Sequence, residues 1–138
     1  MVVEYPTFRA LIEVTGASLP IKTADTLFNR IKEEFYLSRA YVKEELARSS
    51  RILALSLDVW TSENQIAIMV ILGYWITPDF EKRDELLEFT EINGLYSGEN
   101  LAEVVLKMLA ELDIAPKLLT IIGDNAGNNG TLCDSLHD

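Results

Sequence analysis

The stretch LALSLDVWTS, Leu53 to Ser62, alternates leucine with small or polar residues and then turns acidic. In a strand, Leu53, Leu55 and Leu57 project to one side, while Ile52, Ala54, Ser56 and Asp58 project to the other. One face is built for a core; the other shades into a carboxylate. Taken alone, Asp58 has two readings. It could cap the turn Thr61-Ser62-Glu63-Asn64, where Asp is favoured, or it could be half of a site whose partner lies elsewhere in the chain.

Working outward, Gln65 to Ile76 is rich in Ile and Val and reads as a second strand, and Asp84 to Ile92 as a third. Short connections, Thr61 to Asn64 and Thr77 to Arg83, suit hairpins, so an antiparallel meander is expected. Leu101, Val104, Val105, Met108, Leu109 and Leu112 then fall at helical spacing, with Ser97 placed to cap the start and Pro116 to close the helix. Lys117 to Ile122 reads as a fourth strand, ending in Gly123-Asp124-Asn125. A helix between strands implies a crossover, which makes the fourth strand parallel to a neighbour. If that neighbour is the first strand, Asp58 and Asp124 stand at equivalent strand ends. Two carboxylates there call for a counter-charge, and Mg²⁺ or Mn²⁺ with oxygen ligands would supply it.

Upstream the period is helical. Thr7 to Val14 reads as a short helix, and Thr23 offers a cap for one long helix or two over residues 24 to 48, with Leu27, Ile31, Phe35, Tyr41, Val42 and Leu46 near helical spacing. Its acid and base neighbours, Glu34, Arg39 and Lys43 among them, read as a solvated face. The expected organisation is a helical linker region over 1–50 that braces a sheet, followed by an α/β domain over 51–138. Trp60 and Trp75 read as core or sheet-face aromatics more readily than as DNA-stacking platforms.

Composition narrows the function classes. With 49% hydrophobic and 25% charged residues over 138 positions, the chain is expected to fold as one domain with a core. Its longest apolar run, Ile66 to Ile76, falls short of the roughly 20 residues of a membrane span, so no membrane partner is expected. The start, MVVEYPTFRA, does not read as a signal peptide, and a cytosolic or nuclear protein is expected. Cys133 has no second cysteine to pair with, and with His137 it supplies too few ligands for a structural zinc site. Residues 1–50 carry seven basic and seven acidic side chains, whereas 51–138 carry five and fifteen, so the whole net charge of −10 lies in the second part. Such a surface repels phosphate backbones, and weak or no DNA binding is expected of this chain alone.

The blocks SLDVWTS, LLEFTEINGLYSGENLAEVVLKML and LLTIIGDNAGNNGTL resemble successive motifs of hAT superfamily transposases, over about Phe8 to the last residue. The resemblance implies a ribonuclease H-like fold: three antiparallel strands, a helix and a parallel strand, here partial and preceded by the helical region. It also implies that Asp58 and Asp124 are the first two members of a catalytic, metal-binding acid triad. Trp60, Thr61, Ser62, Asn125, Asn128 and Asn129 match family motif positions, with Trp60, Thr61 and Asn125 as supporting residues. Tyr96 stands where the family more often has His. The third acid, a glutamate on a late helix, would lie past Asp138, as would the dimerisation segment, and no BED-type zinc finger precedes the core. A chain of this extent is expected to be inactive in strand transfer by itself. Ribonucleases H carry a glutamate on the helix before the second aspartate; Glu103, 21 residues before Asp124, has similar spacing, against the simpler reading of a solvated helix residue.

In a full-length parent the resemblance implies a nuclear enzyme that cuts and joins transposon-end DNA with Mg²⁺ or Mn²⁺. The alternative is a domesticated, non-catalytic module that binds protein partners. Either way, a sheet ending at its fourth strand is expected to leave apolar edge or face exposed and to self-associate.

Overall fold

The computed structural model describes residues 4–16, 23–92, 97–123 and 129–137. Helices α1 (Pro6–Val14) and α2 (Ala24–Ser49) precede strands β1 (Leu53–Thr61), β2 (Ala67–Ile76) and β3 (Lys82–Glu91). Helix α3 (Gly98–Leu112), a single 3-10 turn (Ala115–Lys117), β4 (Leu118–Gly123) and α4 (Asn129–His137) follow. The strands form one mixed sheet in the order β3-β2-β1-β4, with β1 antiparallel to β2, β2 antiparallel to β3, and β1 parallel to β4. This is the meander, crossover and parallel strand expected from the sequence, and the fold is mixed α/β.

The chain divides into two compact units, Met1–Tyr41 and Val42–Asp138, with the boundary inside α2. In the first unit, the Thr23 hydroxyl accepts from Thr26 N at 3.2 Å, and the Glu4 carboxylate accepts from Ala24 N at 2.9 Å. Both satisfy free N–H groups at the start of α2, and the Glu4 bond holds its carboxyl below the ordinary range. Ile31, Phe35 and Tyr41 of the apolar stripe are exposed, as are Phe28, Tyr36 and Leu37. Helical spacing correctly gave the helix, but spacing says nothing about whether a partner surface exists.

In the second unit the leucine row of β1 does what its alternation dictates. Leu53, Leu55 and Leu57 are buried, together with Met69, Ile71 and Trp75 of β2 and Leu87 of β3. Against them lie Leu101, Ala102, Val105, Met108, Leu109 and Leu112 of α3, with Leu46 of α2 and Leu132 of α4. The Ser97 hydroxyl caps α3 by accepting from Asn100 N at 3.4 Å. The helix ends earlier than the Pro116 reading supposes: Asp113 adopts the left-handed conformation (φ 58°) and its N–H bonds Ala110 O at 3.2 Å. Gly98 lies so close to α4 that an added Cβ would sit 2.5 Å from Leu132 N. Only glycine permits that approach.

The end of α2 is bound into this unit by polar contacts. Trp75 Nε1 donates to Ser49 Oγ at 2.9 Å, which settles Trp75 as a core residue with its one donor satisfied. Lys117 Nζ donates to Leu46 O at 2.7 Å, and Lys43 Nζ to Glu111 O at 2.7 Å, so each ammonium caps the carboxyl end of a helix. Lys43 therefore does more than solvate a helix face. Sequence reading missed both caps, since their partners lie about 70 positions away.

Candidate functional site

Asp58 lies on β1 directly after Leu57 and pairs across the sheet with Val70. Alternation puts it on the face opposite the leucine row, beside half-buried Ala54 and Ser56, and it is exposed. Its carboxylate makes no hydrogen bond or ion pair with another described residue. The turn-capping reading of Asp58 finds its role already taken. Ser62 Oγ accepts from Ile66 N at 3.2 Å, Ser62 O accepts from Gln65 N at 2.9 Å, and Gln65 takes the left-handed position (φ 62°).

The parallel ladder of β1 with β4 pairs Ala54 with Thr120, Leu55 with Ile121, Ser56 with Ile122 and Leu57 with Gly123. The strands thus run level to the residue before Asp58 on one side and the residue before Asp124 on the other. Asp124 itself lies outside the described residues, as do Asn125, Asn128 and Tyr96; Asn129 opens α4. Glu103 is exposed on α3, and among the described residues no three acidic, histidine or cysteine side chains gather into a metal-binding group. Asp58 lies three residues inside β1 rather than at its end, because the antiparallel pairing with β2 runs on to Thr61. A hydrated Mg²⁺ needs only one or two carboxylates and keeps several waters, so an exposed carboxylate with no partner among the described residues is a suitable oxygen donor.

Trp60 follows Asp58 on the same face and meets Phe89 edge-on, with ring centroids 6.2 Å apart. It is 41% exposed, a sheet-face aromatic in contrast to buried Trp75. Thr61 ends β1 and is exposed. Beside β4, an open apolar groove of about 440 Å³ runs between Leu119 and Ile121 on one side and Leu132, Cys133 and Leu136 on the other. Among the described residues its lining holds no carboxylate, histidine or lysine.

Mixed topology, an exposed aspartate one residue past the last pair of the parallel ladder, and a leucine face buried under α3 define a ribonuclease-like domain. A family model of the ZBED1 RNase-like domain matches residues 56–138, and the chain belongs to that family, within the hAT-related transposase group. It is 36% identical over 99% of its length to a protein of Talaromyces stipitatus named as transcriptional regulator tpeD. It is 22% identical over 93% of its length to a protein named as the AC transposase of Zea mays, and 18% identical over 90% to the zinc finger BED domain-containing protein RICESLEEPER 2 of Oryza sativa. The chain spans only 16%, 16% and 17% of those relatives.

Proposed function

We propose that this transposase-derived domain carries the first two carboxylates of a divalent-metal site for phosphodiester chemistry on DNA, with Asp58 and Asp124 as the metal-binding and catalytic residues. The observation that supports it is the β1–β4 ladder, level up to Leu57 and Gly123, with Asp58 exposed just beyond and without a partner among the described residues. Bound Mg²⁺ or Mn²⁺ would supply a Lewis acid that activates water or a DNA-end hydroxyl and offsets phosphate charge. Asp58 would hold the ion from a rigid central strand. Trp60, two residues on and on the same face, and Thr61, at the end of β1, would border the substrate, with Asn125 supporting from the end of β4.

In a longer parent protein this site would serve cutting and joining of transposon-end DNA in the nucleus, completed by a further acid. The chain alone, at −10 net charge, would bind DNA weakly and turn over nothing. A second reading, a non-catalytic regulatory module, is favoured by the higher identity to the protein named as a transcriptional regulator. Calorimetric titration of Mn²⁺ into the protein and into the Asp58→Asn, Asp124→Asn double variant separates them. Binding lost in the variant supports the metal site. No binding by either protein favours the regulatory module.

A further inference from the structure

β4 is weakly specified by its own side chains. Its sequence, LLTIIG, places apolar residues on both faces, and none of its six residues is fully buried; Leu119 is 69% and Ile122 60% exposed. Strand register is ordinarily fixed by burying one face, and here only Leu118 and Ile121, both half-buried against the core, do so. The ladder itself is irregular at this end, with a register shift between Leu53 and Ala54, opposite Leu118 and Thr120. Yet register decides the proposed site. A slip of one residue moves a strand about 3.3 Å along its neighbour, more than a metal–oxygen bond of roughly 2 Å can absorb.

What immobilises the start of β4 is the residue before it. Lys117 Nζ bonds Leu46 O at 2.7 Å, Ala47 O at 3.4 Å and Ser50 Oγ at 3.3 Å. Two of these acceptors belong to the core: Leu46 is wholly buried, and Ser50 is buried with its hydroxyl donating to Leu46 O at 2.6 Å. The ammonium has three donors to place, and the carbonyl end of α2 draws it by charge as well as by hydrogen bonding. Shifting β4 by one residue would pull Lys117 off all three acceptors and leave Leu46 O without its cation.

We propose that Lys117 is a positioning residue: seated on the end of α2, it fixes the register of β4 against β1, and with it the level of Gly123 beside Leu57 and Asp58. This rests on the metal-site reading above for its functional consequence, although the register claim stands on the contacts alone. Lys43 is the natural control, because it caps α3 in the same way through Glu111 O.

The test uses the whole chain with Lys117→Met, Lys117→Arg and Lys43→Met, read by residue-resolved amide exchange and by Mn²⁺ calorimetry. Lys117→Met should lower protection of the Ile121, Ile122 and Gly123 amides about tenfold or more relative to β2. It should also weaken Mn²⁺ binding about 10- to 100-fold, the range for residues that orient metal ligands. Lys117→Arg should recover part of both losses, and Lys43→Met should leave Mn²⁺ affinity within about twofold of the parent. β4 protection and Mn²⁺ affinity unchanged in Lys117→Met would overturn the proposal, as would equal loss of Mn²⁺ affinity in Lys43→Met. If the parent protein binds no Mn²⁺, the metal reading fails separately, and unchanged β4 protection in Lys117→Met would still defeat the register claim.

Discussion

The two outer strands of the described sheet are built on opposite plans. β3, KRDELLEFTE, carries Lys82, Arg83, Asp84, Glu85, Glu88 and Glu91 along its length, with Lys82 lying 3.8 Å from Asp84 and Arg83 3.0 Å from Glu81. β4 carries no charge at all. Charged side chains on an edge discourage pairing with another chain, and an uncharged apolar edge invites it. The difference shows where the domain is closed and where it is open. It is closed at β3, where much of the acidity sits, and open at β4, the strand that leads to Asp124. We propose that self-association runs through β4.

Predictions that break or sharpen this contrast follow in order of size. Leu55→Ala removes the buried floor shared by both edges and should cost about 3 kcal/mol, by denaturant unfolding, with both edges loosened alike. Gly98→Ala should cost roughly 1–3 kcal/mol, because an extra methyl there collides with the backbone of α4. Its effect on amide exchange should fall on α4 and β4 and spare β3, which sharpens the contrast. Leu119→Lys puts a charge on the open edge of an already exposed position, so stability should change by no more than about 0.5 kcal/mol. Any oligomer seen by light scattering at high concentration should fall towards the monomer; an unchanged mass would place self-association elsewhere.

The smallest effect concerns pH. A hydrogen bond with Ser97 holds the Glu99 carboxyl below its ordinary value of 4.5, a lowered folded-state pKa. The start of α3 is therefore stabilised above that value, and the contribution is lost as pH falls through the folded pKa. Glu99→Gln should flatten the acid side of the stability profile slightly and leave neutral pH almost unchanged.

The meander, the crossover helix and the parallel strand were legible because each rests on a local pattern. Leucines alternate along β1, and Leu101 to Leu112 repeat with the helical period. Asp58 was legible as a break in such a pattern. Three features were hidden for physical reasons. The exposure of Phe28, Ile31 and Phe35 depends on whether a partner surface exists, which periodicity does not encode. The need for glycine at position 98 comes from a helix that arrives about thirty residues later. The caps at Lys43 and Lys117 join positions far apart in the chain, and nothing near either lysine marks it out. The second carboxylate of the site, Asp124, was read from the sequence and lies outside the described residues.

The most direct test of the central claim is the location of a bound ion. Mn²⁺ added to ¹⁵N-labelled protein should broaden amide signals around Asp58, Val59 and Gly123 first, fading towards Leu53 and Leu118 at the far ends of the same two strands. Broadening centred instead on the acidic β3 edge, Glu81 to Glu91, or spread evenly over the acidic surface, would contradict a carboxylate site where the β1–β4 ladder ends.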